Sequence, residues 1–320
     1  MRPVLALTLL SALACGGPTN VGSPYHEDLL PTEEKVRINL PVDGAAAKGD
    51  EDGEFARYYV VTRQVTEHVN GLIGFVLGTV GYVVTLEPQW SDADARTAVW
   101  GPYSDSGLDP VETGLWVREE DDGSYAWVIF QVERGGSVEE DAIPIVTGIV
   151  DAGATTEVAS GQFVIDFTTA ASLDPAVALT GTFAVEYAYD TEGVAAVAWG
   201  EGYGAKGGAL VDAVYAYDQT YDGAGEMDLA WLEDVNATGT DEILAMRTRW
   251  EASGDGRSDA VVTGGDLGAD AHYASECWGG DFATAYWADT VGLYEPAGDV
   301  SACAFAEQEL PTEASFTLAE

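Results

Sequence analysis

Chemistry in this chain would have to be carried mainly by oxygen. Glu251, Ser253, Asp255 and Asp259 fall within the stretch EASGDGRSD, which is close to the DxDxDGxxD pattern of calcium loops. Alternating oxygen ligands around a central glycine let a short loop wrap a hard cation. A hairpin turn accounts for the same Gly and Asp, and Arg257 inside the loop opposes a cation, so Ca2+ is the one cofactor to be tested. With 55 acidic residues, spacing cannot single out a glycosidase-like carboxylate pair. The three histidines, His26, His68 and His272, form no HExxH or other metal-ligand spacing. GxSxG and CxxC are absent too. The stretch 202–207, GYGAKG, matches GxGxxG but precedes a strand pattern, so it lacks the helix N-terminus that holds a pyrophosphate. No catalytic residue is expected, and the chain reads as a non-enzyme.

The cysteines divide into one and two. Residues 1–15, MRPVLALTLLSALAC, place one arginine before an apolar run and small residues before Cys15, the order of a secretory signal. Ala12-Leu13-Ala14-Cys15 resembles the lipobox of bacterial lipoproteins, with Ala12 in place of the usual Leu. That resemblance implies removal of residues 1–14 and lipidation of Cys15; an ordinary signal peptide is the alternative. Gly16 is not the aspartate that resembles an inner-membrane retention signal, which points to an outer-membrane lipoprotein on the periplasmic or cell-surface side. Cys277 and Cys303 remain, in an oxidising compartment, and are expected to pair; two free buried thiols are the alternative. Closing that loop would stabilise the fold by about 3 kcal/mol.

Charge narrows the partners. The formal net charge is −42, with only three lysines, Lys35, Lys48 and Lys206. Phosphate backbones would be repelled, so nucleic acid is not an expected partner. An anionic bilayer would be repelled as well, leaving the lipid to make the membrane attachment. Hydrophobic residues at 47% separate the chain from disordered acidic tails.

The elements that must position these residues follow from periodicity. Residues 55–86 carry one apolar stripe at helical spacing, preceded by acidic residues and stopped by Glu87-Pro88. The uncharged run 69–86 is long enough for a membrane span, and Gly74 and Gly78 would suit a helix pair in lipid. Asn70, Thr79 and Thr85 interrupt it, which favours a core helix whose glycines let another backbone approach. Residues 16–50 read as a tether, with one short strand at 36–40. From Thr97 onward, period-two runs predict strands at 97–103, 112–119, 124–133, 143–150, 160–169, 180–190, 194–200, 209–220, 226–234, 242–252, 258–264, 271–277 and 282–289. Asp122-Gly123, Glu192-Gly193, Asp222-Gly223 and Asp255-Gly256 are expected to supply positive-φ turn positions. Phe163, Phe167, Phe183, Tyr187 and Tyr215 share one face of these strands, opposite small or acidic residues. The expected fold is mainly β (α+β): one domain over 51–320, a large curved antiparallel meander or half-barrel whose concave aromatic face covers one long helix.

The runs RTRWEASGDGRSDAVVTGGDLG, ASECWGGDF and CAFAE, with the earlier HVNGLIGFVLGTVG and VWGPYSDSGLDP, resemble an uncharacterised family of lipoproteins from Gram-negative soil and marine bacteria. The resemblance covers most of the mature chain and implies an envelope location and a Cys277–Cys303 pair, but no activity. Three functional readings follow. The first is a lipid-anchored envelope protein with a structural or interaction role. The second is a periplasmic carrier of lipid or other apolar ligands, held on the five aromatic residues above. A carboxylate-pair hydrolase is the third.

Overall fold

The computed structural model describes residues 32–41, 55–104, 106–208, 210–235, 238–268, 270–290, 292 and 294–311. The signal, Cys15 and most of the tether lie outside these residues. A short helix, α1 (Glu33–Val36), precedes the long helix α2 (Arg57–Val84). Fifteen strands then follow in one unclosed antiparallel sheet, each paired with the next in sequence. They are β1 (Trp90–Asp92), β2 (Thr97–Tyr103), β3 (Val111–Glu119), β4 (Tyr125–Glu133), β5 (Ile143–Val150), β6 (Ala159–Asp166), β7 (Leu179–Tyr189), β8 (Gly193–Ala205), β9 (Leu210–Thr220), β10 (Gly225–Glu233), β11 (Glu242–Trp250), β12 (Gly256–Thr263), β13 (His272–Trp278), β14 (Thr284–Asp289) and β15 (Ala297–Gly298). Two further short helices interrupt the meander, α3 (Val138–Asp141) and α4 (Phe167–Leu173).

The mainly β architecture with one long helix is the one the periodicity predicts, and α2 crosses the strands in reverse order. The Tyr58 N–H donates to Glu276 of β13 at 2.7 Å, and the Tyr58 ring packs on Trp287 of β14. Thr62 touches Thr248 of β11 at 3.0 Å; Thr66 faces Met227 and Tyr215. His68 bonds to Tyr203 of β8 at 2.8 Å. Just past the helix, Leu86 accepts from the Trp100 indole of β2 at 2.9 Å. The sheet thus curves over one side of a rod about 42 Å long. Val69, Ile73, Val76, Leu77, Val80 and Val84 bury the apolar stripe among Trp100, Trp127, Phe163, Val185 and their neighbours, each contributing about 1.5–3 kcal/mol.

Five glycines make room for aromatic rings directly across a strand pair. Trp127 lies over Gly148, Phe130 over Gly114, Tyr187 over Gly161, Trp250 over Gly225 and Trp278 over Gly256. A Cβ on Gly148 would come within 2.2 Å of the Trp127 ring. These pairs fix the register, because a one-residue slip would put each ring against a side chain on the wrong face.

Several expectations are corrected. The strand predicted over 160–169 ends at Asp166, whose carboxylate accepts the Thr169 N–H at 2.8 Å and starts α4; the N-cap wins over β-propensity. Of residues 36–40, predicted as a strand, Val36 ends the helical turn α1 and the others follow it. They then run extended without a strand partner, because side-chain amides take their hydrogen bonds. Asn70 pairs with both backbone groups of Ile38, and Gln219 with both of Asn39. Strand β8 runs on through glycines to Ala205 with a register shift near Gly200. At the hairpins, Gly123 (φ 84°) and Gly223 (φ 104°) are left-handed as predicted. At the β11–β12 turn Gly254 (φ 95°) takes that role, while Gly193 and Gly256 belong to strands. The α2 glycines do not seat another backbone: Gly74 faces the Glu33 side chain, and Gly71, Gly78 and Gly81 face open space.

Candidate functional site

Alternation sends every second side chain to the outer face of the sheet, and register aligns these into lateral rows. One row runs Gln162, Glu186, Val197, Ala216, Asp228, Arg247, Asp259, Ser275 from β6 to β13. The row beside it runs Ser160, Ala188, Ala195, Asp218, Glu226, Arg249, Arg257, Cys277. The two halves of these rows have opposite character.

Over β6–β11 the rows form an open groove of about 680 Å³. Its floor is alanine and valine; Glu186, Asp218 and Glu226 stand exposed on its walls, with Asp151 beyond Ser160. Asp228 closes the far end, held by Arg247 through two hydrogen bonds of 2.7 and 2.6 Å. A second groove, toward the hairpin ends, shares Asp151, Ser160, Ala188, Ala195 and Asp218 with the first. The small floor leaves depth, and the carboxylates leave negative potential.

Over β11–β13 the same rows are sealed. Asp259 is fully buried and accepts from Arg257 Nε at 2.9 and 3.0 Å, from Ser275 at 2.6 Å, from Arg249 at 3.3 Å and from the Glu309 N–H at 3.0 Å. A C-terminal strap, residues 303–311, lies on top. Arg257 donates to the carbonyls of Phe305 and Ala306, each at 3.0 Å. Arg249 donates to the Glu307 carbonyl at 2.7 Å and to the Glu309 carboxylate at 2.5 Å. The Cys277–Cys303 disulfide ties the start of the strap to β13, so the expected pairing is present.

This arrangement redistributes the calcium-loop residues. Glu251, Ser253 and Asp255 form the β11–β12 turn, where Ser253 lies 3.4 Å from Glu251. Asp259 stands three residues into the strand from Gly256, about 10 Å along it, with its oxygens taken by protein donors. The four do not converge. Among the described residues, no group of three or more His, Cys, Asp or Glu is placed to hold a metal ion.

The five aromatic residues assigned to an apolar ligand are brought together, but against α2. Phe163, Phe183, Tyr187 and Tyr215 are at most 5% exposed and Phe167 is 8%, all within the main core. A ligand on that face would have to displace the helix. Burial pushes the Tyr187 and Tyr215 hydroxyls well above the usual phenol range. His68 is exposed and bonds to the Tyr203 hydroxyl.

Sequence reasoning missed Arg249, Arg257, Glu276 and Glu309. The first two carried a signal: Arg247 and Arg249 alternate on one strand, Arg257 and Asp259 on the next. A tight turn at 251–255 sets 249 opposite 257 and 247 opposite 259. Glu276 carried none, because only the fold brings it to α2. There it accepts the Tyr58 N–H and, at 2.7 Å, the Thr284 hydroxyl. Its burial pushes the carboxyl up, and those two hydrogen bonds pull it partly back. No protein-family model, curated protein or solved structure matches the chain.

Proposed function

We propose that the protein is a non-enzymatic, lipid-anchored component of the bacterial outer envelope that holds a partner on the outer face of its sheet. The supporting observation is the open groove over β6–β11, where exposed Glu186, Asp218 and Glu226 overlook a floor of small side chains. Such a surface favours a partner with cationic groups spaced along an extended segment, since complementary charge sets register and raises the association rate. Acylation at Cys15 would supply the attachment. The carrier reading gains no support, because its aromatic side chains already pack α2.

Site-specific photocrosslinking tests this. A photoreactive residue at Val197, on the groove floor, should capture an envelope protein. The same residue at Leu108, which is 94% exposed outside the groove, should not. The adduct should disappear when Glu186→Lys and Asp218→Lys are combined. Identical adducts at both positions, or an adduct indifferent to the charge reversal, would remove the groove from the proposal.

A further inference from the structure

The sheet covers one side of α2 and leaves the other unpartnered. Phe75 and Tyr82 are each 67% exposed, the highest values for aromatic side chains among the described residues. Seven residues apart, they lie within about 20° of one another around the helix and about 10 Å apart along it. Gly71 and Gly78 share this arc and meet nothing within 4 Å. The run 69–86 carries no charge. In sequence the run is bounded by Glu67, paired with Arg63 at 2.8 Å, and by Glu87, while Glu33, paired with Arg37 at 3.7 Å, lies against Gly74.

Two features identify the occupant. The described chain begins at Thr32, and the next residue, Glu33, sits directly on Gly74, one position from Phe75 in α2. Residues 16–31 therefore join Cys15 to the margin of this face. Sixteen residues can reach at most about 55 Å. Anchoring at that range gives a weak apolar face a high effective concentration of bilayer. The second feature argues against another copy of the chain. Glu33 lies where a helix packing on the Gly74 and Gly78 notch would have to enter, its carboxyl 2.8 Å from a Cβ built on Gly74, and each copy brings a net charge of −42.

We propose that the exposed face of α2 centred on Phe75 and Tyr82 lies on the surface of the bilayer that holds Cys15, with both rings at headgroup level. This rests on the anchor reading above. The bilayer it suits is zwitterionic, because anionic headgroups would repel the acidic body.

The test uses the full acylated chain with Gly78→Cys carrying an environment-sensitive fluorophore, reconstituted into phosphatidylcholine vesicles. Asp94→Cys, in the exposed β1–β2 turn, serves as control. A blue-shifted emission at 78 but not at 94 is expected. In a Cys15→Ser chain, partitioning into added vesicles should fall about tenfold for each of Phe75→Ser and Tyr82→Ser. Water-like emission at 78 in a vesicle-bound, acylated protein would overturn the docking and leave the anchor standing. Mass spectrometry showing Cys15 without acyl chains, together with a blue shift on vesicles, would overturn the anchor and leave the docking. A blue shift without vesicles that grows with protein concentration would assign the face to a second copy and overturn the proposal.

Discussion

Two halves of the same pair of rows teach opposite lessons about charge. Over β6–β10 the carboxylates Glu186, Asp218 and Glu226 face water from a floor of alanine and valine. Over β11–β13 a carboxylate and two guanidinium groups are shut beneath a strap. The sealed half is possible because Asp259 receives five hydrogen bonds, and Arg249, Arg257 and Glu309 balance the charge. In the open half, arginine enters only at Arg247, so its carboxylates stay in solvent. One half commits its ionic groups to holding residues 303–311, while the other leaves its carboxylates in solvent.

The largest test of this contrast is Asp259→Ala. Removing the shared acceptor leaves buried Arg257 without a carboxylate partner and Arg249 with Glu309 alone, so stability should fall by about 3–5 kcal/mol in urea unfolding. A loss below 1 kcal/mol would mean that the strap, not the ion cluster, organises this half. Next comes Cys277→Ser with Cys303→Ser, expected to cost about 3 kcal/mol for the loop closed. Limited proteolysis should then cut first within 303–311; unchanged protection would mean that Arg249 and Arg257 hold the strap unaided.

Glu276 sharpens the comparison, being a buried carboxylate that accepts from amides and a hydroxyl. Its pKa in the folded protein is raised by burial, so the unfolded chain loses its proton first as pH rises. Its share of stability is fully present below the unfolded value of 4.5 and is lost as pH rises through the folded one. Glu276→Gln should flatten that part of the stability–pH curve, while Glu276→Ala should cost about 1–2 kcal/mol through loss of the helix cap. The smallest effect is expected in the groove. Glu186→Gln and Asp218→Asn should each change stability by no more than about 0.5 kcal/mol, yet weaken capture of the partner at Val197. A large loss of stability there would make the open carboxylates structural.

What could be read in the sequence divides along the range of the interactions. Strand positions and faces were legible because Phe183, Val185, Tyr187 and Tyr189 alternate with small or acidic residues, a local signal. So was α2, from its stripe. The short helix α4 was masked because Phe163 and Ile165 continue the β-rhythm into Phe167, although Asp166 and Thr169 have N-cap spacing. The outer-face site was opaque for a different reason. Its two halves exist only once register places β6 to β13 side by side, and the residues on its lid lie 48 to 60 positions from those beneath: 48 separate Phe305 from Arg257 and 60 separate Glu309 from Arg249. The two positions that close α2 onto the sheet, Tyr58 and Glu276, are 218 residues apart.

That last separation bears on how the chain comes to fold. Because α2 meets the strands in reverse order, its first turn docks on β13 and β14, near the end of the meander that is synthesised last. Hairpins β2–β3 or β7–β8 can zip locally as they emerge, at low loop-closure cost. The helix cannot be capped by Glu276, nor Tyr58 seated on Trp287, until nearly the whole polypeptide has arrived. Completion is thereby deferred to the far end of the chain, and a partly synthesised polypeptide holds paired hairpins without a closed core.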